Sequence, residues 1–320
     1  MAKSTTSAAP AAAPLATQGD GVPAAPPAAA PKGPTLASLA RNEGMAVTPS
    51  EMRRIATDPA FTRVLAMAAP AQLQRAVNRL AASLSLEMQR NPTLQGCSGL
   101  SLLGCLLQST ALGLEPGGVL GQAYFVPYRN QKLGATEAQF QIGYKGLISL
   151  AHRNPDTQNF DAHPVFEDDT FDIEYGTNPR VIHKPNRDAV PDPEKRKLVG
   201  FYAVFVKHNG GCAVRYMSLA EVCKHRDQYS KQKNSGPWVT AFLEMGRKTP
   251  LRMLGKVTPI SVDMTTAATL DEYAEADVEQ GLRHHVRQAL DGGEVDFTIP
   301  SQTADRVADA LGAGESDAQN

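Results

Sequence analysis

The sequence predicts an α+β fold: a helical N-terminal region, an antiparallel β-rich core with packed helices, and unfolded tails at both ends. Three observations carry this reading. Apolar residues recur at spacings of three and four before residue 115. Beyond the turn cluster Gly113-Leu114-Glu115-Pro116-Gly117-Gly118 the chain changes to short β-branched and aromatic runs. Helical spacing then returns from Ser218. Helices, then strands with one inserted helix, then helices again is the order of an α+β domain, not of alternating βαβ units.

Residues 1–34 hold twelve Ala and seven Pro and almost no large apolar side chain. Such a segment buries too little surface to offset its ordering entropy, so a disordered Ala/Pro-rich tail is expected there. Residues 35–115 form the helical region. Leu73, Val77, Leu80, Leu84 and Met88 make one apolar stripe that Asn91-Pro92 ends, and Gly99 to Leu112 gives a second helix stopped by Gly113. In 116–262, the β-rich core, Val119 to Tyr128 and Ala138 to Tyr144 read as paired strands, followed by a helix over Gly146 to Arg153. Val165 to Tyr175 and Leu198 to Met217 supply further strands. Within the latter, Asn209-Gly210 is a hairpin signal. Helices are expected from Ser218 and over Trp238 to Lys256. Residues 263–320 read as an acidic tail with a short helix over Asp271 to Leu290, whose apolar residues are Tyr273, Val278, Leu282 and Val286. That helix is a candidate docking site for a partner protein or an autoinhibitory acidic flap, the former being the expectation.

The net charge of −1 conceals an asymmetry. From Lys207 to Lys256 there are ten Lys and Arg against three Asp and Glu, and from Asp263 to Asn320 three Arg against thirteen Asp and Glu. A basic half followed by an acidic one suggests an anionic partner. Cys97, Cys105, Cys212 and Cys223 lie far apart, with no His at ligand spacing, so reduced and mostly buried thiols are expected. With no signal-like or membrane-length apolar run, a soluble intracellular protein is expected.

Nothing in the sequence supplies an engine. Gly246-Arg247-Lys248-Thr249 resembles the end of a phosphate-cradling loop but lacks the upstream glycine, so ATP hydrolysis is not expected. Metal-dependent nucleolysis needs clustered carboxylates. Glu167-Asp168-Asp169 with Asp172, or Pro191-Asp192-Pro193-Glu194-Lys195, are the candidates, and a nuclease acting on DNA is the alternative reading. A sequence-specific double-strand binder would want a helix-turn-helix, and none is evident.

Binding of a single strand fits better. Lys248, Arg252 and Lys256 recur every four residues and would form one basic stripe on a helix, with Pro250 either interrupting that helix or starting a new one. Lys207 and Arg215 flank the hairpin, on opposite faces for a two-residue turn and on one face for a three-residue turn. Lys224, His225, Arg226, Lys231, Gln232 and Lys233 read as a basic loop suited to clamping a backbone. Tyr144-Lys145 stands between Gly143 and Gly146, which permit close approach of a ligand. Basic residues with aromatic platforms are what single-stranded DNA binding requires. Trp238 and Phe242 read as core.

These stretches resemble the RecT family of phage single-strand DNA annealing proteins. The resemblance runs through Gly113-Leu114-Glu115-Pro116-Gly117, Gly121-Gln122-Ala123-Tyr124-Phe125-Val126-Pro127-Tyr128, Phe140 to Ile148 and Leu150-Ala151-His152-Arg153. It continues through Gly176, Ile182-His183-Lys184-Pro185, Gly200-Phe201-Tyr202-Ala203, Trp238, Met245-Gly246-Arg247-Lys248-Thr249 and Leu251-Arg252, and covers roughly residues 45–262. It implies a Rad52-like annealing fold, a homo-oligomeric ring or helical filament, and annealing of complementary strands in homologous recombination. No enzymatic step and no cofactor are implied: ATP is not used, and Mg²⁺ acts at most as a modulator. The implied partners are single-stranded DNA, the annealed duplex intermediate, a host single-strand binding protein and a phage exonuclease. The implied place is the cytoplasm of a bacterial host, from a phage or prophage gene. For DNA contacts the resemblance argues for Lys145, Lys207, Arg215, Arg247, Lys248 and Arg252; with the residues read above, Tyr144, Arg153, Lys231, Lys233 and Lys256 complete the expected set. Pro250 stands where family members carry an aliphatic residue.

Overall fold

A computed structural model describes residues 33–297 apart from 72–73, 118–119, 191, 259 and 294. The expected Ala/Pro tail, but for its last two residues, lies outside the described residues, as do Leu73 and residues 298–320.

Five helices open the described chain: α1 (Leu36–Arg41), α2 (Pro49–Ala56), α3 (Pro59–Ala68), α4 (Val77–Arg90) and α5 (Gly99–Ala111). Their starts are written locally. Thr35 and Thr48 close capping boxes with Ser38 and Glu51, and Asp58 accepts from the Ala60 amide with Pro59 as the first helical residue. The α4 stripe is buried as its spacing predicts, at Val77, Leu80, Leu84 and Met88. By contrast α5 is buried on every side, Ser101, Gln108, Ser109 and Thr110 included, because α3, α4 and later elements surround it. Its inward hydroxyls find partners: Ser101 donates to the Ser98 carbonyl and accepts from the Ala138 amide at 2.8 Å. The left-handed φ of +64° at Gly113 ends the helix.

The strands form three antiparallel sheets. β1 (Ala123–Asn130) pairs with β2 (Ala135–Ile142), and α6 (Tyr144–Ala151) leaves directly from the end of β2. β3 (Thr157–Phe166) begins earlier than its sequence suggested. The expected strand over 165–175 is interrupted, since the Asp169 carboxylate accepts from the Phe166 amide and turns the chain into β4 (Thr170–Glu174). β4 pairs with β5 (Arg180–Lys184); β6 (Leu198–Lys207) and β7 (Cys212–Ser218) complete a sheet of order β3-β6-β7. Lys207 and Gly211 bond across a three-residue turn with Gly210 at φ +87°, so the register places Lys207 and Arg215 on one face.

α7 (Leu219–Tyr229) and α8 (Pro237–Thr240) lead to α9 (Phe242–Val257), which runs unbroken through Pro250. α10 (Val262–Glu275) and α11 (Leu282–Leu290) follow. These two helices correct the reading of 263–320 as a tail. Met264, Ala267, Leu270, Tyr273, Leu282 and Val286 are buried, and the main core extends from Leu36 to Val286 across both sides of residue 115. The expected single helix over 271–290 is broken where Asp277 and Gly281 take left-handed backbone. In that break Gln280 accepts from the Phe140 amide at 2.7 Å and donates back to its carbonyl at 2.6 Å, tying the segment to β2. The acidic count misled because Asp271 and Glu275 point inward to cations, as described below. The one-partner docking role expected for this helix does not suit its buried apolar face.

α11 lies close against α5 at Gly104, where an added Cβ would stand 2.6 Å from the Leu282 carbonyl oxygen. Replacing Gly104 by Val therefore forces α11 away. An unfolding titration in urea is expected to show a loss of about 1–3 kcal/mol; an unchanged midpoint would contradict this packing.

Candidate nucleic-acid interface

A groove of about 430 Å³ opens between the β1–β2 ribbon with the start of α6 on one side and α8–α9 on the other. Glycines set its first wall. A Cβ on Gly143 would lie 2.2 Å from the Gly121 carbonyl oxygen, and one on Gly146 2.2 Å from that of Gln122. Only hydrogen at these positions lets the first turn of α6 lie backbone to backbone on the approach to β1. Tyr144 and Lys145 are thereby presented at the mouth, at the positive end of a helix that has no side-chain cap. Tyr124 adds a half-exposed ring, and Pro237, Thr240, Ala241 and Met245 form the opposite wall.

Charge in the groove is mixed. Lys145 is exposed, Glu87 and Glu244 line the walls, and Arg247 stands behind Tyr144. Two cations lie near the Tyr144 ring: Lys145 Nζ at 5.9 Å and the Arg247 guanidinium at 5.7 Å from its centre. Arg247 also reaches the Tyr144 hydroxyl at 3.5 Å and Glu244 at 3.8 Å. Burial, then Glu244, raises the phenol's pKa, so Tyr144 stays neutral.

The other expected contacts are placed differently. Lys248 lines the back of the groove but is only 5 % exposed, and Arg252 likewise. Lys248 Nζ donates to Asp271 at 2.5 Å, and Arg252 donates to Asp271 at 2.8 Å and pairs with Glu275 at 2.6 Å. The expected basic stripe of Lys248, Arg252 and Lys256 is thus an ion-paired face against α10, with only Lys256 exposed and that one paired to Glu272. Arg153 donates to the carbonyls of Leu112 and Gly113, where it closes the open end of α5. Arg215 is exposed on the edge strand β7, near Glu221 of α7. Lys207 is half-buried at the hairpin tip. Lys224, His225 and Arg226 belong to α7 rather than to a loop, so the basic loop is Lys231 to Lys233 alone, with both lysines exposed. That loop borders a small hollow that shares Gln141, Pro237 and Met245 with the groove. Trp238 is buried against Phe242, which also packs on Phe201.

The buried cluster balances two cations with two carboxylates. Burial works against the Arg252 charge, but Glu275 and Asp271 outweigh it and hold its pKa above the usual value. His225 Nε2 lies 2.9 Å from Arg252, and burial, then Arg252, depress its pKa to about 4. Removing one member leaves an uncompensated buried charge, a change of about 3–5 kcal/mol.

The acidic loop is differently occupied from what a nuclease needs. Arg196 holds Asp168 at 2.6 Å and Asp169 at 2.7 Å, while Asp169 also takes His183 at 3.1 Å and the Asn186 amide at 2.9 Å. Among the described residues no group of three His, Cys, Asp or Glu is arranged to hold a metal ion. Sequence reasoning did not single out Glu87, Asn91 and Gln141 as residues of the groove. It also passed over the cluster of His163, His183, Arg196 and Tyr202 around a second hollow.

Two outcomes are expected. Asp271→Asn lowers stability by about 3–5 kcal/mol in a denaturant titration, and a loss below about 1 kcal/mol would contradict the buried network. Because His225 is depressed when folded, the unfolded chain binds a proton first as pH falls. Its contribution is complete above about pH 6.5 and is lost on acidification towards about pH 4. His225→Gln is expected to flatten that part of a stability profile; an unaltered profile would refute the assignment.

The sequence model described as the RecT family matches residues 78–282. The chain is 33% identical over 229 residues to Protein RecT of Escherichia coli (strain K12), covering 71% of this chain and 82% of that protein. It is 29% identical over 232 residues to the uncharacterized protein YqaK of Bacillus subtilis (strain 168), covering 71% of this chain and 73% of that protein.

Proposed function

The chain belongs to the RecT family, and from that premise we propose that it binds single-stranded DNA and anneals complementary strands in recombination without ATP. The observation that carries the reading is the groove mouth, where Lys145 and Arg247 both lie near the Tyr144 ring.

The physical obstacle to annealing is repulsion between two polyanions. Lys145, the start of α6 and Arg247 would neutralise the backbone of a first strand with release of counterions, and Tyr144 and Tyr124 would offer ring faces to its bases. Held by its phosphates, that strand keeps its base edges outward, and pairing with a second strand supplies the specificity. Glu87 and Glu244 on the walls moderate the hold, which favours exchange over trapping. Lys231 and Lys233 extend the track beside α8, and Lys207, Arg215 and Lys256 are outlying backbone contacts. Lys248, Arg252 and Arg153 act in this reading through the positions of α9 and α5. No step requires a covalent catalyst, a metal or a nucleotide. A homo-oligomer, ring or filament, with a Rad52-like core would line such grooves along one strand. Partnership with an exonuclease and a host single-strand binding protein in the bacterial cytoplasm completes the proposal.

The test is annealing of two labelled complementary oligonucleotides, read by fluorescence transfer in EDTA without nucleotide. Acceleration with both strands intact is expected. Lys145→Ala and Arg247→Ala should each reduce the salt dependence of single-strand binding by about one unit of log–log slope. Strand shortening that needs Mg²⁺ would favour the nuclease, and binding without acceleration would leave a binding module only.

A further inference from the structure

On the far side of Arg247 from the groove lies a second hollow of about 390 Å³, near the lower end of the range of small-molecule sites, roughly 300–1,000 Å³. Its walls are flat. The cross-strand neighbours His163 and Tyr202 bring their rings within 5.6 Å, tilted by 38°, and the Arg196 guanidinium stacks 4.1 Å from the Phe166 ring centre. Its polar edges are oriented: His163 Nε2 lies 3.2 Å from Asp161, and His183 lies 3.1 Å from Asp169 and 3.3 Å from the Tyr202 hydroxyl. Arg247 connects this hollow to the groove. It lines the hollow while touching Tyr144, which lines the groove, and its buried Nε has no hydrogen-bond partner among the described residues.

Ring faces, a guanidinium and imidazole edges together match a planar heteroaromatic with ring nitrogens and exocyclic amines. A bare phosphate would use none of the rings, and Arg196 is already neutralised by Asp168 and Asp169. A metal ion would need free carboxylates, but Asp169 is fully engaged by Arg196, His183 and Asn186.

We propose that this hollow is a nucleobase pocket, which draws in one base of the strand whose backbone passes Lys145. The proposal rests on the reading of the groove as a single-strand site. One base per protomer would leave the row of exposed bases and turn in beside Arg247, while its neighbours remain free to pair. The pocket would thereby anchor the strand against sliding.

The experiment compares the affinity of the full chain for an oligonucleotide and for an abasic strand of equal length. Loss of the bases should weaken binding to the native protein by more than stacking on Tyr144 and Tyr124 supplies, the pocket adding about 5- to 150-fold, the range commanded by one stacked base. In His163→Ala, an exposed position, that added factor should be lost, and His163→Phe, which keeps a ring, should restore it. A strand carrying fluorescent 2-aminopurine should change emission more with the native protein and with His163→Phe than with His163→Ala. Equal ratios and equal emission in all three proteins would overturn the pocket while the groove stands. Absence of salt-dependent binding to the abasic strand would overturn the groove, and the pocket with it.

Discussion

The arrangement depends on four charges removed from water between two helices. Lys248 and Arg252 are four residues apart on α9, and Asp271 and Glu275 are four apart on α10, so two one-turn ladders face each other and interlock. Such a cluster adds little net stability over an apolar seam, but it tolerates one rotation of α9 and no other. Once Lys248 is turned inward, Arg247 is turned about 100° away around the helix, towards Tyr144 and the β3 edge. The residue that joins groove and hollow is aimed by the residue that follows it.

Close approach of backbone does the rest. Gly246 faces the Phe201 ring, where a Cβ would stand 2.1 Å from it, so α9 lies directly on the β6 strand. Gly143 and Gly146 bring α6 equally close to the segment before β1. The two walls of the groove are therefore each built on a glycine contact, and the separation between them is set by the sheet and by α10. The proposed ligand contacts, Lys145 and Arg247, are long side chains that can adapt.

Much of this was legible in the sequence, and the limits are physical. The α4 stripe, the stop at Gly113, the α6 helix and the hairpin at Asn209-Gly210 announce themselves through spacing and turn residues. Tyr144-Lys145 was legible from its flanking glycines. What spacing cannot reveal is the partner across a tertiary contact. Lys248, Arg252 and Lys256 have the periodicity of a solvent-facing basic stripe, and the acidic residues that bury them come from a stretch that a charge count reads as a tail. Each misreading produced the other. Pro250 did not break α9: the helix continues through it, with Thr249 bonded to the Met245 carbonyl and the residue buried in its place. The hollow around His163 and Tyr202 joins β3, β5 and β6 with the loop before β6, which no local pattern links.

A single strand is proposed to lie between the start of α6 and α8–α9. Amide hydrogen exchange of the full chain, with and without a single-stranded oligonucleotide, tests it most directly. Slower exchange on binding is predicted at residues 121–125, 143–147 and 240–247, the two walls of the groove. Protection confined to the 207–215 hairpin, with residues 143–147 exchanging as before, would contradict it.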